Sequence, residues 1–199
     1  MKKTILAIAM SISAVASLFL IYALFILYIL LFGITTTDNK LKNYEKRVHE
    51  VSGNSELFPD LDALPSYKDV FFSYRKSEQE IFITKTILLA VSYDEKIYAS
   101  EKNCIENSTD FLEEAVFSRG GGTEYYLPEP KFTINSFNFR VVENSQPDYP
   151  KFFGMVAMSD EKNTIAYLYF SDVDLDYISM NTTEGEMKKF VEKHFKYDW

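Results

Sequence analysis

Residues 4–34, TILAIAMSISAVASLFLIYALFILYILLFGI, carry no charged residue, no proline and a single glycine, Gly33. This run constrains the chain more than any other feature, because it must be kept from water. As a helix its 31 residues would extend roughly 46 Å at 1.5 Å per residue. That exceeds the ~30 Å hydrocarbon core of a bilayer, and tilt absorbs the excess. A helix also satisfies its own backbone in lipid. The sequence therefore predicts an N-terminal transmembrane signal-anchor over residues 1–36, with the lipid bilayer as its partner through residues 4–34.

A cleavable signal peptide is the competing reading, with Lys2 and Lys3 as its basic region and Ala14-Val15-Ala16 as its cleavage site. Cleavage after Ala16 would leave a remnant apolar enough to remain in the membrane. No cysteine lies near residue 20 to accept an acyl chain. Lys2 and Lys3 flank one end of the run and Lys40, Lys42, Lys46 and Arg47 the other, so the positive-inside count does not separate the orientations. The start of the run at residue 4, as in exported signal-anchors, favours an inside N-terminus and a soluble domain on the extracytoplasmic side.

Beyond the anchor the chain is acidic. From Asp38 onward 29 acids face 19 bases, because Lys2 and Lys3 are the only bases of the 21 that precede it, and the net charge is −10. Such a surface gives little attraction for phosphate backbones, so nucleic acid is not an expected partner. Cys104 is the only cysteine, which rules out an intrachain disulfide and a thiolate metal cluster. It is read as a small buried residue on a helix.

After the polar stretch TTTDNK, residues 37–53 are read as a juxtamembrane amphipathic helix. Leu41, Tyr44, Val48 and Val51 follow at spacings of 3, 4 and 3, a narrow a/d seam that Ser52-Gly53-Asn54 ends. It rests on its own domain; the alternative is that it continues the membrane helices into a parallel homodimer.

Residues 54–199 are read as one soluble α+β domain: an antiparallel sheet of about five strands with helices packed on one face. LFPDLDALPS, residues 57–66, is a linker with apolar anchors. Strands are expected over 69–75 and 81–91, joined as a hairpin through KSEQ. Ser92 and Glu95 form a capping box for a helix whose apolar face holds Cys104, and a second short helix is expected over 110–117. The strand over 131–143 changes its apolar phase near Ser136, as at a bulge. Strands over 151–158 and 164–170 are apolar on both faces, hence central and covered. Thr183 and Glu186 form a second capping box, for a helix over about 184–197.

No motif names a chemistry. Asp172, Asp174 and Asp176 are spaced like the first ligands of a calcium loop. That pattern also demands a glycine where Tyr177 stands and a glutamate where Thr183 stands. The alternative is a solvated exit from the last strand, with Val173, Leu175 and Tyr177 on the opposite face. Arg119-Gly120-Gly121-Gly122 has no following GK[ST] and reads as a connector. His49 reads as a surface residue and His194 as half-buried packing. Asn107 and Asn181 begin N-glycosylation sequons. No cofactor motif is present and no catalytic set assembles.

The outline of a long N-terminal apolar helix and an antiparallel sheet is similar to that of type IV pilins. The specific marks of that family, a glycine before the run and a glutamate at its fifth position, are absent here. The expectation is thus a single-pass membrane protein whose domain is a non-enzymatic protein-interaction or assembly module, meeting another membrane or envelope protein. The alternative is a membrane-tethered hydrolase or a binder of a cation or small ligand.

Overall fold

The computed structural model describes residues 15–28, 33–52, 57–79, 82–117, 125–143, 149–179 and 184–199. Residues 15–28 form a helix, α1, exposed along its whole length. These 14 residues extend ~21 Å at 1.5 Å each, short of a bilayer core. Among the described residues no helix is long and apolar enough to cross a membrane. The remainder of the predicted anchor, residues 4–14 and 29–32, lies outside them.

Gly33, at φ +69°, leads directly into β1 (Ile34–Asp38). The stretch expected to be a bare connector is therefore an edge strand. Its three consecutive threonines are β-branched, and their side chains suit a pleated surface. Strands β2 (Asp69–Gln79), β3 (Phe82–Ser92), β6 (Lys131–Ile134), β7 (Phe137–Val141), β8 (Phe152–Ser159) and β9 (Thr164–Asp172) complete a seven-stranded antiparallel sheet, in the order β1-β2-β3-β9-β8-β7-β6. β4 (Val116–Phe117) and β5 (Tyr125–Leu127) make a separate pair.

Seven strands replace the expected five for two reasons. The threonine stretch pairs with β2, and the phase change near Ser136 is a hairpin rather than a bulge. Ile134 pairs with Phe137 across a two-residue loop whose Asn135 has φ +50°, the sign that tight hairpins require. β2 also runs on through Lys76-Ser77-Glu78-Gln79 instead of turning there, and residues 80–81 lie outside the described ones.

The central strands are as apolar as expected. Every residue of β8 except Phe152, and most of β9, is buried. Covering them takes layers on both faces, not one. On the first face lie α2 (Tyr44–Ser52), α3 (Glu95–Ser108) and the anchors Leu57, Phe58, Leu61 and Leu64, packed over Phe72, Tyr74, Ile87, Leu89, Val91, Ile165 and Tyr167. The seam of α2 is spent on this core: Tyr44 and Val51 are buried and Leu41 and Val48 pack beside them. Tyr44 Oη also donates to the Pro59 carbonyl at 2.7 Å, and Arg47 reaches Asp38 at 3.1 Å. On the second face α4 (Glu186–His194) and the tail to Trp199 cover Phe137, Phe139, Phe153, Met155, Leu168 and Phe170. Phe190 sits 4.8 Å from Phe170 and 5.6 Å from Phe153, while Trp199 packs edge-on against Phe137 and Phe139.

Local signals fail where long-range pairing competes. Ser92 does not cap α3: it stays in β3 opposite Thr164, their hydroxyls 2.8 Å apart, and Asp94 takes the N-cap position. Tyr98 and Ile105 turn inward on α3, which leaves Cys104 exposed rather than buried. No helix forms over 110–117. Phe111 bridges Val142, Leu112 N–H donates to the Val141 carbonyl at 2.9 Å, and Arg140 lies 3.9 Å over the Phe111 ring. A helix that short is marginal alone, and these contacts outweigh it.

Candidate functional site

The second face is divided. Between β6 and β9 it is a dry core under α4. Between β1 and β3 the same face carries Thr35, Thr37, Ser73, Arg75, Ser77, Thr84 and Thr86. The register explains this set. Thr37, Arg75, Thr86 and Phe170 lie in one row across four strands, and Thr35, Ser77, Thr84 and Asp172 in the next. Side chains two apart on a strand share a face, so both rows point toward α4.

The helix is too short to cover them. Its C-terminal end stands as a wall, and a cleft of about 330 Å³ opens between that wall and the edge strand. Phe71, Leu88 and Phe195 floor its inner end; Thr35, Thr37 and Asn39 form the outer lip; Arg75, His194 and Lys196 line it between. It continues toward Ser77, Thr84 and Lys193 in a second hollow of about 240 Å³.

Two hydrogen bonds fix the polar rows. Thr84 Oγ1 donates to Asp172 Oδ2 at 2.7 Å, and the Thr35 and Ser77 hydroxyls are 3.4 Å apart. Thr86 is almost wholly buried, and its hydroxyl points at the His194 carbonyl at 3.5 Å, which ties the end of α4 to the sheet.

The charge of this cleft runs against that of the domain. Lys193 and Lys196 are explained by the helix, whose C-terminus favours cations; Lys196 Nζ donates to the Glu192 carbonyl at 2.8 Å. Arg75 is not explained so. It stands on β2, and among the described residues no carboxylate pairs with its guanidinium, although Lys102, Lys131, Arg140, Lys68 and Arg47 all find acids. His194 is wedged between Phe170 and Phe190, at 5.0 and 4.6 Å. Burial pushes its imidazole down to about 4, helped by the charges of Lys193, Arg75 and Lys196. It therefore lines the cleft as a neutral ring near pH 7. An arginine fork among hydroxyls, with two lysines at the rim, suits a planar carboxylate or a phosphate.

The end of α4 that faces the rest of the sheet is held differently. Gly185, at φ +91°, occupies the N-cap position where Thr183 and Glu186 were expected to serve; Thr183 lies outside the described residues. The capping group comes from far along the chain. The Glu129 carboxylate accepts from Gly185 N–H at 2.9 and 3.1 Å and from Met187 N–H at 3.0 Å.

The aspartates singled out by sequence are not gathered. Asp172 closes β9 at the corner of the cleft, with one oxygen on Thr84 and the other accepting from Asp174 N–H at 3.0 Å. Asp174 follows in an exposed turn and Asp176 in an exposed irregular segment, not in a continued strand, and Leu175 packs against the core. Among the described residues no group of three or more His, Cys, Asp or Glu could hold a metal ion. His49 is exposed on α2. Asn107 is exposed near the end of α3, its amide donating to the Asn103 carbonyl at 2.6 Å. Asn181 and the glycine-rich stretch 119–122 lie outside the described residues.

Sequence reasoning missed the cleft because each piece looked ordinary. Ser73, Arg75 and Ser77 alternate with Phe72 and Tyr74 and read as the wet side of a strand. The available signal was that the threonines of β1 alternate in step with them. No protein-family model matches the chain, and no curated protein and no solved structure matches it.

Proposed function

We propose that this chain is a single-pass membrane protein, held by residues 4–34 with its domain on the extracytoplasmic side. In this reading the domain is a non-enzymatic binding module. Its cleft receives a carboxylate or phosphate group carried by another membrane or envelope protein. One observation carries the proposal: Arg75 has no carboxylate partner among the described residues, in a domain whose net charge is −10.

Supporting it are the hydroxyls around Arg75 and the neutral His194, which gives the cleft an apolar shoulder. The exposed, uniformly apolar α1 supports the anchor, since a helix apolar all round belongs in a protein core or in lipid. Among the described residues nothing in the cleft pairs a nucleophile with a base: His194 packs between Phe170 and Phe190, and no serine or threonine hydroxyl bonds to its ring.

The test uses the full chain in phosphatidylcholine nanodiscs, titrated with inorganic phosphate and with an acidic peptide while the His194 ring resonances are followed. A saturable shift that Arg75→Ala removes is the expected result. A flat titration with both probes would dismiss the binding module. Resistance to alkaline carbonate extraction, and protease access on intact cells, test the anchor and its orientation separately.

A further inference from the structure

The sheet end where the chain arrives from its apolar run is itself apolar. Ile34 opens β1 and lies opposite Glu78, which lies opposite Ile83. Thr84 pairs with Asp172, so Val173 follows at the same level beyond β9. Phe82 stands one residue further out on β3. All four apolar side chains are exposed: Ile34 at 51%, Phe82 at 48%, Ile83 at 36% and Val173 at 53%. Among the described residues of the sheet no other large apolar side chain is exposed, so this cluster is out of character with the rest of the fold.

We propose that this row rests in the interfacial layer of the bilayer, so that the sheet stands end-on against the membrane instead of swinging free on a tether. The inference rests on residues 4–34 being lodged in lipid. The covalent chain then dictates the rest. Ile34 is both the last residue of the run and the first of the sheet, so no linker separates them. With strands ~4.8 Å apart, Ile83 lies ~10 Å and Val173 ~15 Å from Ile34 along one row. All are near the residue where the apolar run ends.

Lys76 and Lys85 stand opposite each other one step further up the same face. Lys76 reaches Glu78 at 2.5 Å and Lys85 Nζ donates to the Glu50 carbonyl at 3.5 Å, so both ammonium groups are held by the domain's own acceptors. Glu78, Asp172 and Asp174 sit at the same end. The contact is therefore one of apolar burial, and a zwitterionic bilayer suffices for it. One consequence is that Ser77 and Thr84, at the lower mouth of the cleft, come to lie just above the headgroups.

The test places a polarity-sensitive fluorophore on single cysteines in the full chain, in a Cys104→Ser background and phosphatidylcholine vesicles carrying a lipid-borne quencher. The sites are Ile83→Cys at the row, Phe82→Cys beside it, Glu161→Cys at the far end of the sheet, and Ile21→Cys within α1. The expected result is quenching at 82 and 83 roughly twofold or more above that at 161, with 21 quenched most strongly. Quenching at 21 but not at 82 or 83 overturns the inference and leaves the anchor standing. No quenching at 21 removes the anchor, and the inference with it. Protection of 83 that rises with protein density and is insensitive to the lipid quencher overturns it in favour of a second copy of the chain.

Discussion

Two halves of one sheet face have opposite characters. Between β6 and β9 the side chains are mostly aromatic or aliphatic and buried under α4 and the tail; between β1 and β3, beside the core residues Phe71, Leu88 and Ala90, they are hydroxyls around an arginine, lining a cleft. The strands are continuous across the divide, since the Arg75 row ends on Phe170. What separates the halves is only the reach of a nine-residue helix. Its length leaves the far strands uncovered, and the residues placed there are ones that tolerate water. A sheet face can thus be partly core and partly site, with the boundary set by its cover.

The largest test of that contrast is a truncation on each side of the line. Phe170→Ala removes a ring that touches Phe153, Phe190 and His194, and it should cost about 3–5 kcal/mol. Ser73→Ala, on the wet side, should fall within about 0.5 kcal/mol of the parent. Chemical denaturation of the detergent-solubilised chain reads both. Trp199, the only tryptophan, is buried in the dry half and reports its loss. Comparable costs for the two variants would erase the distinction.

The next effect lies on the boundary and depends on pH. His194 has a folded-state pKa of about 4, against 6.5 in an unfolded chain, chiefly because burial disfavours its charged form. The neutral ring therefore contributes its full stability above pH 6.5. As pH falls from 6.5 toward 4 the unfolded chain takes up the proton first, and stability declines. The loss integrates to about 3 kcal/mol at ~1.4 kcal/mol per unit. Carboxylates titrate at the lower end of the same window, so the quantity to measure is the parent's loss minus that of His194→Leu. A bound anion would offset the repulsion from Arg75, Lys193 and Lys196 and lift the pKa of the ring. A parent and variant with identical pH profiles would show that the imidazole is hydrated and the boundary less dry than its packing implies.

Much of the dry half was legible in the sequence. KFFGMVAM and TIAYLYF are apolar in both phases, which a strand tolerates only when covered twice, and Met187, Phe190 and Val191 fall at helical spacing. The wet half was not, because it exists only in register. Thr35 and Thr37 meet Arg75 and Ser77 through strand pairing, and Lys193 and His194 join them from a helix encoded far away. Signals that depend on neighbours alone were overruled in the same way. Ser92 has the spacing of a cap yet pairs with Thr164, and Cys104 has an apolar label yet stands beside the buried stripe of Tyr98 and Ile105. The aspartates of DVDLD alternate as a strand would, but β9 has already ended at Asp172.

A smaller effect tests how the cover is held in place. Glu129 supplies the N-terminal cap of α4 from outside the helix, accepting two backbone N–H groups that nothing within the helix satisfies. Glu129→Ala should cost about 1–2 kcal/mol, the usual range for a lost cap. Glu129→Gln should cost less, since an acceptor remains. Because α4 walls the cleft, Glu129→Ala should also raise hydrogen exchange at the helix start. Protection there equal to the parent's would assign the position of α4 to Phe190 and Val191 alone.

The smallest stability effect carries the most information. Arg75 is half-buried on β2 with no acid beside it among the described residues, so Arg75→Ala forfeits the packing of its stem and little else. Its removal also relieves a like charge near Lys193 and Lys196. The expected change is within about 0.5 kcal/mol in either direction, while anion binding is lost. Arg75→Lys keeps the charge but not the planar fork, and should retain only part of the affinity. A residue that can be deleted at no cost to the fold, yet whose deletion empties the cleft, is placed for a ligand. If instead Arg75→Ala unfolded the protein as readily as Phe170→Ala, the guanidinium would be a structural pin. The hydroxyl rows would then be nothing more than the wet margin of a sheet.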